Sequence, residues 1–331
     1  MARKLNVAVL MGGKSSEHAI SLLSGKQVAK NLNPRKYNVL PVIISQDGAK
    51  WQIDKQIKNQ TRSQMRSSAF LKAGYASALS ENNIDLVFIA LHGPNGEDGN
   101  IQGFLELIGI PYTGSKVLAS ALGINKILSR QIFEKAKIKV PGYLAFKKYD
   151  NPTIIWHKFK IPIVVKPFDQ GSSIGVTKVT KKQDLQAALK KAFSYSKNVI
   201  IEDYIDGIEI TCAILGNDKP QALPLIEIVP KKDFFDYEAK YNEIMCDEIC
   251  PARISQDLTK KAQKIAIKAY SSLGCEGFGR VDMIIKDKDV YTLEVNTIPG
   301  LTQVSLFPKA ASTAGISYSQ LLNKIIGFAN P

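Results

Sequence analysis

Apolar and polar positions along the chain change their period in an ordered way. "LNVAVLM" (5–11) is an apolar run that stops at Gly12-Gly13, and "EHAISLLSGKQVAKNL" then spaces its apolar residues as a helix does. "YNVLPVIIS" and "IDLVFIAL" read as second and third strands, the latter running into the polar loop "HGPNGEDG". Strand–helix–strand alternation predicts an open parallel, Rossmann-like α/β sheet with polar loops at the strand C-termini, where ligands sit. "IQGFLELIGIPYTGS" reads as a helix, a short strand and a turn, closing a first unit at residue 114.

A second unit, 115–202, opens with the helical "KVLASALGINKILSRQIFEKA". "IPIVVKPFDQGSSIGVTKV" follows as strand, glycine-serine loop and strand, then the amphipathic helix "KKQDLQAALKKAF" and the strand "NVIIEDYI". A third unit, 203–331, carries the strands "EITCAIL" and "QALPLIEIV" and the charged aromatic loop "KKDFFDYEAKYNE". The helix "DLTKKAQKIAIKAYSSLG", two more strands and the amphipathic "YSQLLNKIIGFA" complete it.

Bulk properties narrow the classes. With 331 residues, 45% hydrophobic and 22% charged, the chain reads as a soluble protein of two or three packed units. No apolar run approaches a membrane span, and "MARKLNVAVLMGG" reads as a first strand and turn rather than an export signal. Four cysteines in a chain this long make no disulfide framework, and with three histidines none of which lies near Cys246 or Cys250 a zinc site is not expected. Reduced thiols and a cytoplasmic location follow. The net charge of +14 favours anionic partners. The lysines are scattered rather than gathered in one block, so nucleotide phosphates account for them and nucleic acid is not expected.

Three stretches could carry chemistry. In "KPFDQGSSIGV", Lys166 ends a strand, and Ser172 and Ser173 sit between glycines. Such a loop can lie over phosphates, or be no more than a hairpin turn. "AVLMGGKSS" contains GKS, but Ala8 stands where a phosphate-binding P-loop needs its first glycine, so that reading fails. In "GFGRVDMII", strand alternation puts Arg280 and Asp282 on one face; in "VYTLEVNTIPG" it puts Glu294 and Asn296 on one face and Leu293 and Val295 on the other. The short "KDKD" turn predicts that these two strands form an antiparallel hairpin, with Asp282 and Glu294 on a shared polar face. Each residue alone reads as a solvent-facing position; together they form a set of hard oxygen ligands suited to magnesium.

The segments "LHGPNGEDGNIQGFLELIGIPYTGS", "VVKPFDQGSSIGV", "FFDYEAKY", "GFGRVDMII" and "LEVNTIPGLTQVSLFPKAA" together resemble the D-alanine–D-alanine ligase family of the ATP-grasp superfamily. The resemblance implies a three-unit ATP-grasp fold and ATP-dependent joining of two D-alanines through an acyl phosphate, for peptidoglycan precursor synthesis. It implies ATP and magnesium as cofactors, with manganese as a substitute, and a homodimer.

The resemblance also assigns roles. Asp282, Glu294 and Asn296 would hold the metal. Lys126 and Lys166 would meet the ATP phosphates under a loop carrying Ser172 and Ser173, and Lys240, on the aromatic lid loop, would also bind the cofactor. Glu202 would accept from the adenine amino group and Glu209 from the ribose. Glu17 would pair with the ammonium of the first D-alanine, with His92 close by. Arg280 and the Gly300 N–H would cradle the oxyanion, and Ser305 with the Leu306 N–H would hold the second carboxylate. Tyr241, on a lid, would close a hydrogen-bonded set with Ser172 and Glu17. Relatives that make the D-alanine–D-lactate ester replace this tyrosine, so its presence implies the dipeptide product.

Overall fold

The computed structural model describes residues 3–54, 79, 82–230 and 246–329. Its first sheet is built from β1 (Leu5–Gly12), followed by α1 (His18–Asn31), β2 (Tyr37–Ile44), β3 (Trp51–Ile53) and β4 (Leu86–Ile89), with α2 (Asn100–Leu107) after it. The strand order is β3-β2-β1-β4. β1 pairs in parallel with β2 and β4, whereas β3 is an antiparallel edge on β2. The expected parallel sheet therefore forms its core, with one short antiparallel strand added. Val7, Val9, Leu10 and Met11 are all fully buried, as a central parallel strand covered on both faces requires.

The helical run after residue 115 is two helices rather than one: α3 (Val117–Ile124) and α4 (Lys126–Lys135). Asn125 leaves the helical region (φ −83°, ψ 94°), and its side chain accepts the Leu128 N–H, so it starts the second helix afresh. The break re-aims Lys126 and Arg130, one turn apart on α4, toward the cleft described below.

The second sheet comprises β5 (Tyr143–Lys147), β6 (Ile163–Pro167), β7 (Thr177–Val179) and β8 (Asn198–Asp203), with α5 (Thr153–Lys158) and α6 (Leu185–Phe193) between them. Its order is β5-β8-β6-β7, antiparallel throughout. The third sheet comprises β9 (Ile208–Leu215), β10 (Gln221–Ala222), β11 (Ile226–Pro230), β12 (Cys246–Ile249), β13 (Phe278–Lys286) and β14 (Asp289–Asn296). Its order is β12-β11-β9-β13-β14, with β10 on β9; α7 (Gln256–Ser272), α8 (Leu306–Thr313) and α9 (Tyr318–Ala329) complete the chain. The hairpin predicted for residues 277–296 is β13–β14.

Packing crosses the sheet boundaries. Phe307, Leu321 and Ile325, from α8 and α9, share one apolar core with Val7 and Phe88 of the first sheet. Ala119 and Phe133 of α3 and α4 pack with Tyr270 and Val295 in the core of the third. The four cysteines are free, and three are buried. Among the described residues no helix is long and apolar enough to cross a membrane.

Gly25 shows how closely α1 lies on β1: a Cβ there would come within 2.4 Å of Met11 Cβ, an atom that cannot swing aside. Alanine improves helix propensity by about 1 kcal/mol, while overpacking costs about 1–3 kcal/mol. Gly25→Ala is expected to lower the urea midpoint of unfolding; a raised midpoint would show that β1 yields.

Candidate active site

Between the second and third sheets lies a cleft of about 330 Å³, lined among others by Lys126, Lys166, Glu202, Glu209, Asp282 and Glu294. Val164, Ile174, Val176, Ile284 and Leu293 supply apolar walls. Its size and its mixture of apolar walls with convergent charges are those of a small-molecule site.

The charges are paired across elements. Lys126 Nζ stands 3.0 Å from Glu294 Oε2 on β14 and donates to the Gln170 carbonyl of the glycine-serine loop at 2.7 Å. Lys166 Nζ on β6 is 2.9 Å from Glu202 Oε2 on β8, and Arg130 Nη2 is 2.5 Å from Glu202 Oε1. Burial pushes the Lys166 ammonium below its ordinary pKa, and Glu202 opposes that push. Ser173 also lines the cleft, as do Gln170 and Ile174. Ser172 and Ser173 both hold the left-handed backbone region (φ 50° and 56°), an uncommon conformation for serine that the surrounding loop must impose.

The polar face of β13–β14 forms as its alternation predicts: Arg280 lies opposite Asn296, and Asp282 opposite Glu294. Arg280 donates to both Asp282 oxygens at 2.8 Å, Thr211 Oγ1 donates to Oδ1 at 2.6 Å, and Asn296 Nδ2 donates to Oδ2 at 3.0 Å. Burial opposes the Arg280 charge, but Asp282 holds its pKa above the ordinary value. One expectation is corrected. The register shifts between Asp282 and Met283, so Leu293 is an extra residue with no opposite partner. The bulge turns Leu293 into the cleft beside Glu294 instead of leaving it on the core face with Val295.

The acidic and glycine-rich loops of the first sheet close the other end. Ser172 Oγ donates to Glu17 Oε1. A Cβ on Gly93 (φ 73°) would lie 2.8 Å from Glu17 Oε2, and one on Gly171 would lie 3.1 Å from it, so two glycines admit this carboxylate. His92 is buried, with Nε2 on Ser24 Oγ at 2.9 Å and Nδ1 on the Ile298 carbonyl at 3.0 Å. Burial lowers its pKa, so the imidazole is neutral, with Nδ1–H donating and Nε2 accepting. Ser305, the residue before α8, accepts the Thr302 N–H at 3.2 Å and lies 2.7 Å from Thr302 Oγ1. A Cβ on Gly300 would come within 2.9 Å of Ser305 Oγ. Leu306 opens α8, in whose first turn the N–H groups lack helical acceptors. Lys240 and Tyr241 lie outside the described residues.

Sequence reasoning passed over Arg130, Thr211 and Glu97. The first reads as a charge on a solvated helix face, the second as an ordinary β-branched strand residue, the third as one of several acidic residues in a turn-rich loop. Glu97 Oε1 accepts the Gly93 N–H at 2.7 Å, but burial, and next the charge of Glu17, push its carboxyl up to about 8. Its ordinary value is 4.5, so between about pH 4.5 and about pH 8 the folded chain holds a proton that the unfolded chain has released. Stability therefore falls as pH rises through that window. In the metal-free protein, Glu97→Gln is expected to flatten the fall of the thermal midpoint there; an unchanged slope would assign the proton elsewhere.

Two family models cover almost the whole chain: D-ala D-ala ligase N-terminus over residues 6–115 and D-ala D-ala ligase C-terminus over residues 132–327. The chain is 44% identical over 330 residues to the D-alanine–D-alanine ligase of Syntrophobacter fumaroxidans, covering 98% of each, and 42% identical to that of Carboxydothermus hydrogenoformans, covering 97% of each. Among solved structures it resembles the VanG D-Ala:D-Ser ligase of Enterococcus faecalis (TM-score 0.83, 36% identity, 99% of this chain and 100% of that one). It also resembles the D-alanine–D-alanine ligase of Bacillus anthracis complexed with ATP (TM-score 0.79, 34% identity, 98% and 97%). The three sheets are thus those of the ATP-grasp fold, and the chain belongs to the D-alanine–D-alanine ligase family.

Proposed function

We propose that this chain joins two D-alanines into D-alanyl-D-alanine at the expense of ATP, supplying the dipeptide for peptidoglycan precursors. The observation that carries the reading is one cleft that gathers Lys126, Lys166 and Glu202 with Asp282 and Glu294, which share the polar face of β13–β14 with Arg280 and Asn296. The division into units 1–114, 115–202 and 203–331, a cytoplasmic location and a homodimer belong to the same proposal.

The reaction must bring the phosphates of ATP against a substrate carboxylate, so its main difficulty is repulsion between anions. Lys126 and Lys166 meet the phosphates, with Ser172 and Ser173 over them, and Lys240 also binds the nucleotide. Glu202 accepts from the adenine amino group and Glu209 from the ribose. Asp282, Glu294 and Asn296 fit magnesium, or manganese in its place, because two carboxylates and an amide leave positions for phosphate oxygens and water. Asn296, whose Nδ2 donates to Asp282, keeps its carbonyl oxygen for that ion. When bound, the metal neutralises phosphate charge and polarises the transferred phosphoryl group.

Glu17 holds the ammonium of the first D-alanine, with neutral His92 tying the Leu91–Gly93 turn to the loop at Ile298. The first carboxylate attacks the γ-phosphorus and ADP leaves, giving the acyl phosphate. The second D-alanine, its carboxylate on Ser305 and the Leu306 N–H, attacks the acyl carbon through its amine. Arg280 and the Gly300 N–H stabilise the oxyanion, and the C–O bond to phosphate then breaks. Arg280 is held by Asp282 through Nε and Nη2, which leaves its other N–H groups for that oxygen. Tyr241, Ser172 and Glu17 close the site against water, which would otherwise hydrolyse the intermediate.

Phosphate release from ATP should depend on D-alanine, with D-alanyl-D-alanine identified by mass even when D-serine or D-lactate competes; release without D-alanine dependence would send the search to other acceptors. Glu294→Gln is expected to lower turnover at least about ten-fold, and near-normal turnover would remove it from the metal set. Arg280→Ala should lower kcat by about 10²–10³-fold with KM little changed. A change confined to KM would make it a binding group instead.

A further inference from the structure

We infer that Arg130 is a positioning residue for the nucleotide base: it holds Glu202 through its buried oxygen, Oε1, so that the carboxylate presents Oε2 to an amino group in the cleft, and so sets affinity for ATP and preference for adenine over guanine. The inference rests on the nucleotide reading of the cleft given above.

Arg130 has no exposed surface, and only charge and packing can justify an arginine there. Its guanidinium makes contacts in three directions. Nη2 stands 2.5 Å from Glu202 Oε1, the same nitrogen donates to the Leu293 carbonyl at 3.1 Å, and the group lies 5.8 Å from the centre of the Tyr143 ring. Despite that short approach, Glu202 Oε1 accepts no hydrogen bond from any described residue. The arginine therefore meets this oxygen away from the hydrogen-bonding direction and acts on it coulombically. Arg130 Nε and Nη1 likewise have no acceptor among the described residues. The contact fixes the carboxylate through its buried oxygen and leaves the other oxygen to face the cleft.

Glu202 lines the cleft, and since Oε1 is shut away from solvent, Oε2, which faces Lys166 at 2.9 Å, is the oxygen that a ligand meets. A carboxylate oxygen accepts from the amino group of adenine and repels the carbonyl oxygen that guanine carries at the corresponding position. The second contact gives Arg130 a further role. Leu293 is the bulged residue of β14, so one side chain links β8 of the second sheet to the irregular point of the third. Both walls of the cleft are set from one helix: Lys126 ties Glu294, and Arg130, one turn on, ties Leu293 and Glu202. A lysine at 130 could meet Glu202 as a point charge, but it lacks the planar fork that reaches the Leu293 carbonyl as well.

The test is calorimetric binding of ATP and of GTP, with magnesium and without D-alanine, to the full chain carrying Arg130→Gln or Arg130→Lys, alongside KM for D-alanine. Arg130→Gln is expected to weaken ATP by about ten-fold, the scale of one charge-assisted contact. GTP should change little, so that the preference narrows, and KM for D-alanine should stay within about two-fold. Arg130→Lys should restore most of the preference. Unchanged ATP affinity, or equal losses for ATP and GTP, would overturn the inference, the second because a purely structural arginine would act on both. Where Arg130→Gln does not fold, Arg130→Lys decides. ATP weakened by about three-fold with preference retained supports the role, and wild-type affinity overturns it. A wild-type chain that binds ATP but makes no dipeptide would fail the proposed reaction while leaving this binding test in force.

Discussion

Arg130, Lys166 and Glu202 are held together where water is largely excluded, and the cleft exists only because such charges meet one another there. Taking each ion out of water costs several kcal/mol even after relaxation, and stripping one partner from a buried pair costs about 3–5 kcal/mol. The same holds at Lys126–Glu294 and Arg280–Asp282. Every pair but Arg280–Asp282, which lies within β13, joins different elements, so the electrostatic requirement also fixes how α4, β6, β8 and β14 sit against one another. An anionic ligand then enters a region whose cations are already desolvated and oriented, and little reorganisation is left for the reaction itself.

The pairing also limits what the protein can do unaided. Among Lys126, Arg130, Lys166, Arg280, Glu202, Asp282 and Glu294 the cations outnumber the carboxylates by one. That surplus is small against the charge of a nucleotide triphosphate and a substrate carboxylate together. In the proposed reaction the Asp282–Glu294 face would supply what the lysines cannot, a place where a divalent cation enters with the phosphates. Among the described residues no three His, Cys, Asp or Glu side chains gather into a metal cluster. Two carboxylates and an amide are the set expected of an ion that shares its shell with substrate.

How much of this was legible in the sequence depended on whether a local period survived folding. Arg280, Asp282 and Val281 alternate without interruption along β13, so their faces follow from a two-residue repeat. On β14 the same rule fails at Leu293, because a bulge is a property of the pairing and leaves no sign in one strand's composition. The glycine-serine loop was readable from its residue types, yet the left-handed angles fall on Ser172 and Ser173, while Gly171 is not among the positive-φ residues. Asn125 divides the expected long helix because an N-cap competes with helix continuation only where the next turn has a reason to re-aim. Arg130 was invisible for a simpler reason. Burial of a helix charge depends on the two sheets that close over it, and those are far away in sequence.

The contact between Ser172 and Glu17 binds the two ends of the site into one device. A hydroxyl carried on strained backbone donates to a carboxylate that follows a strand of a different sheet, so the glycine-serine loop and the turn after β1 cannot move independently. Gly93 and Gly171 leave room for the same carboxylate, which a Cβ at either position would crowd. In the proposed reaction an ammonium ion arriving there would share Glu17 with Ser172, and its binding would be felt at the glycine-serine loop. Strain at Ser172 and Ser173 is worth on the order of 1–3 kcal/mol per residue, and contacts such as this one must offset it. The loop's conformation thus depends on groups at the substrate end. This is a physical reason for the proposed phosphate and amino-acid sites, which lie on separate sheets, to be coupled.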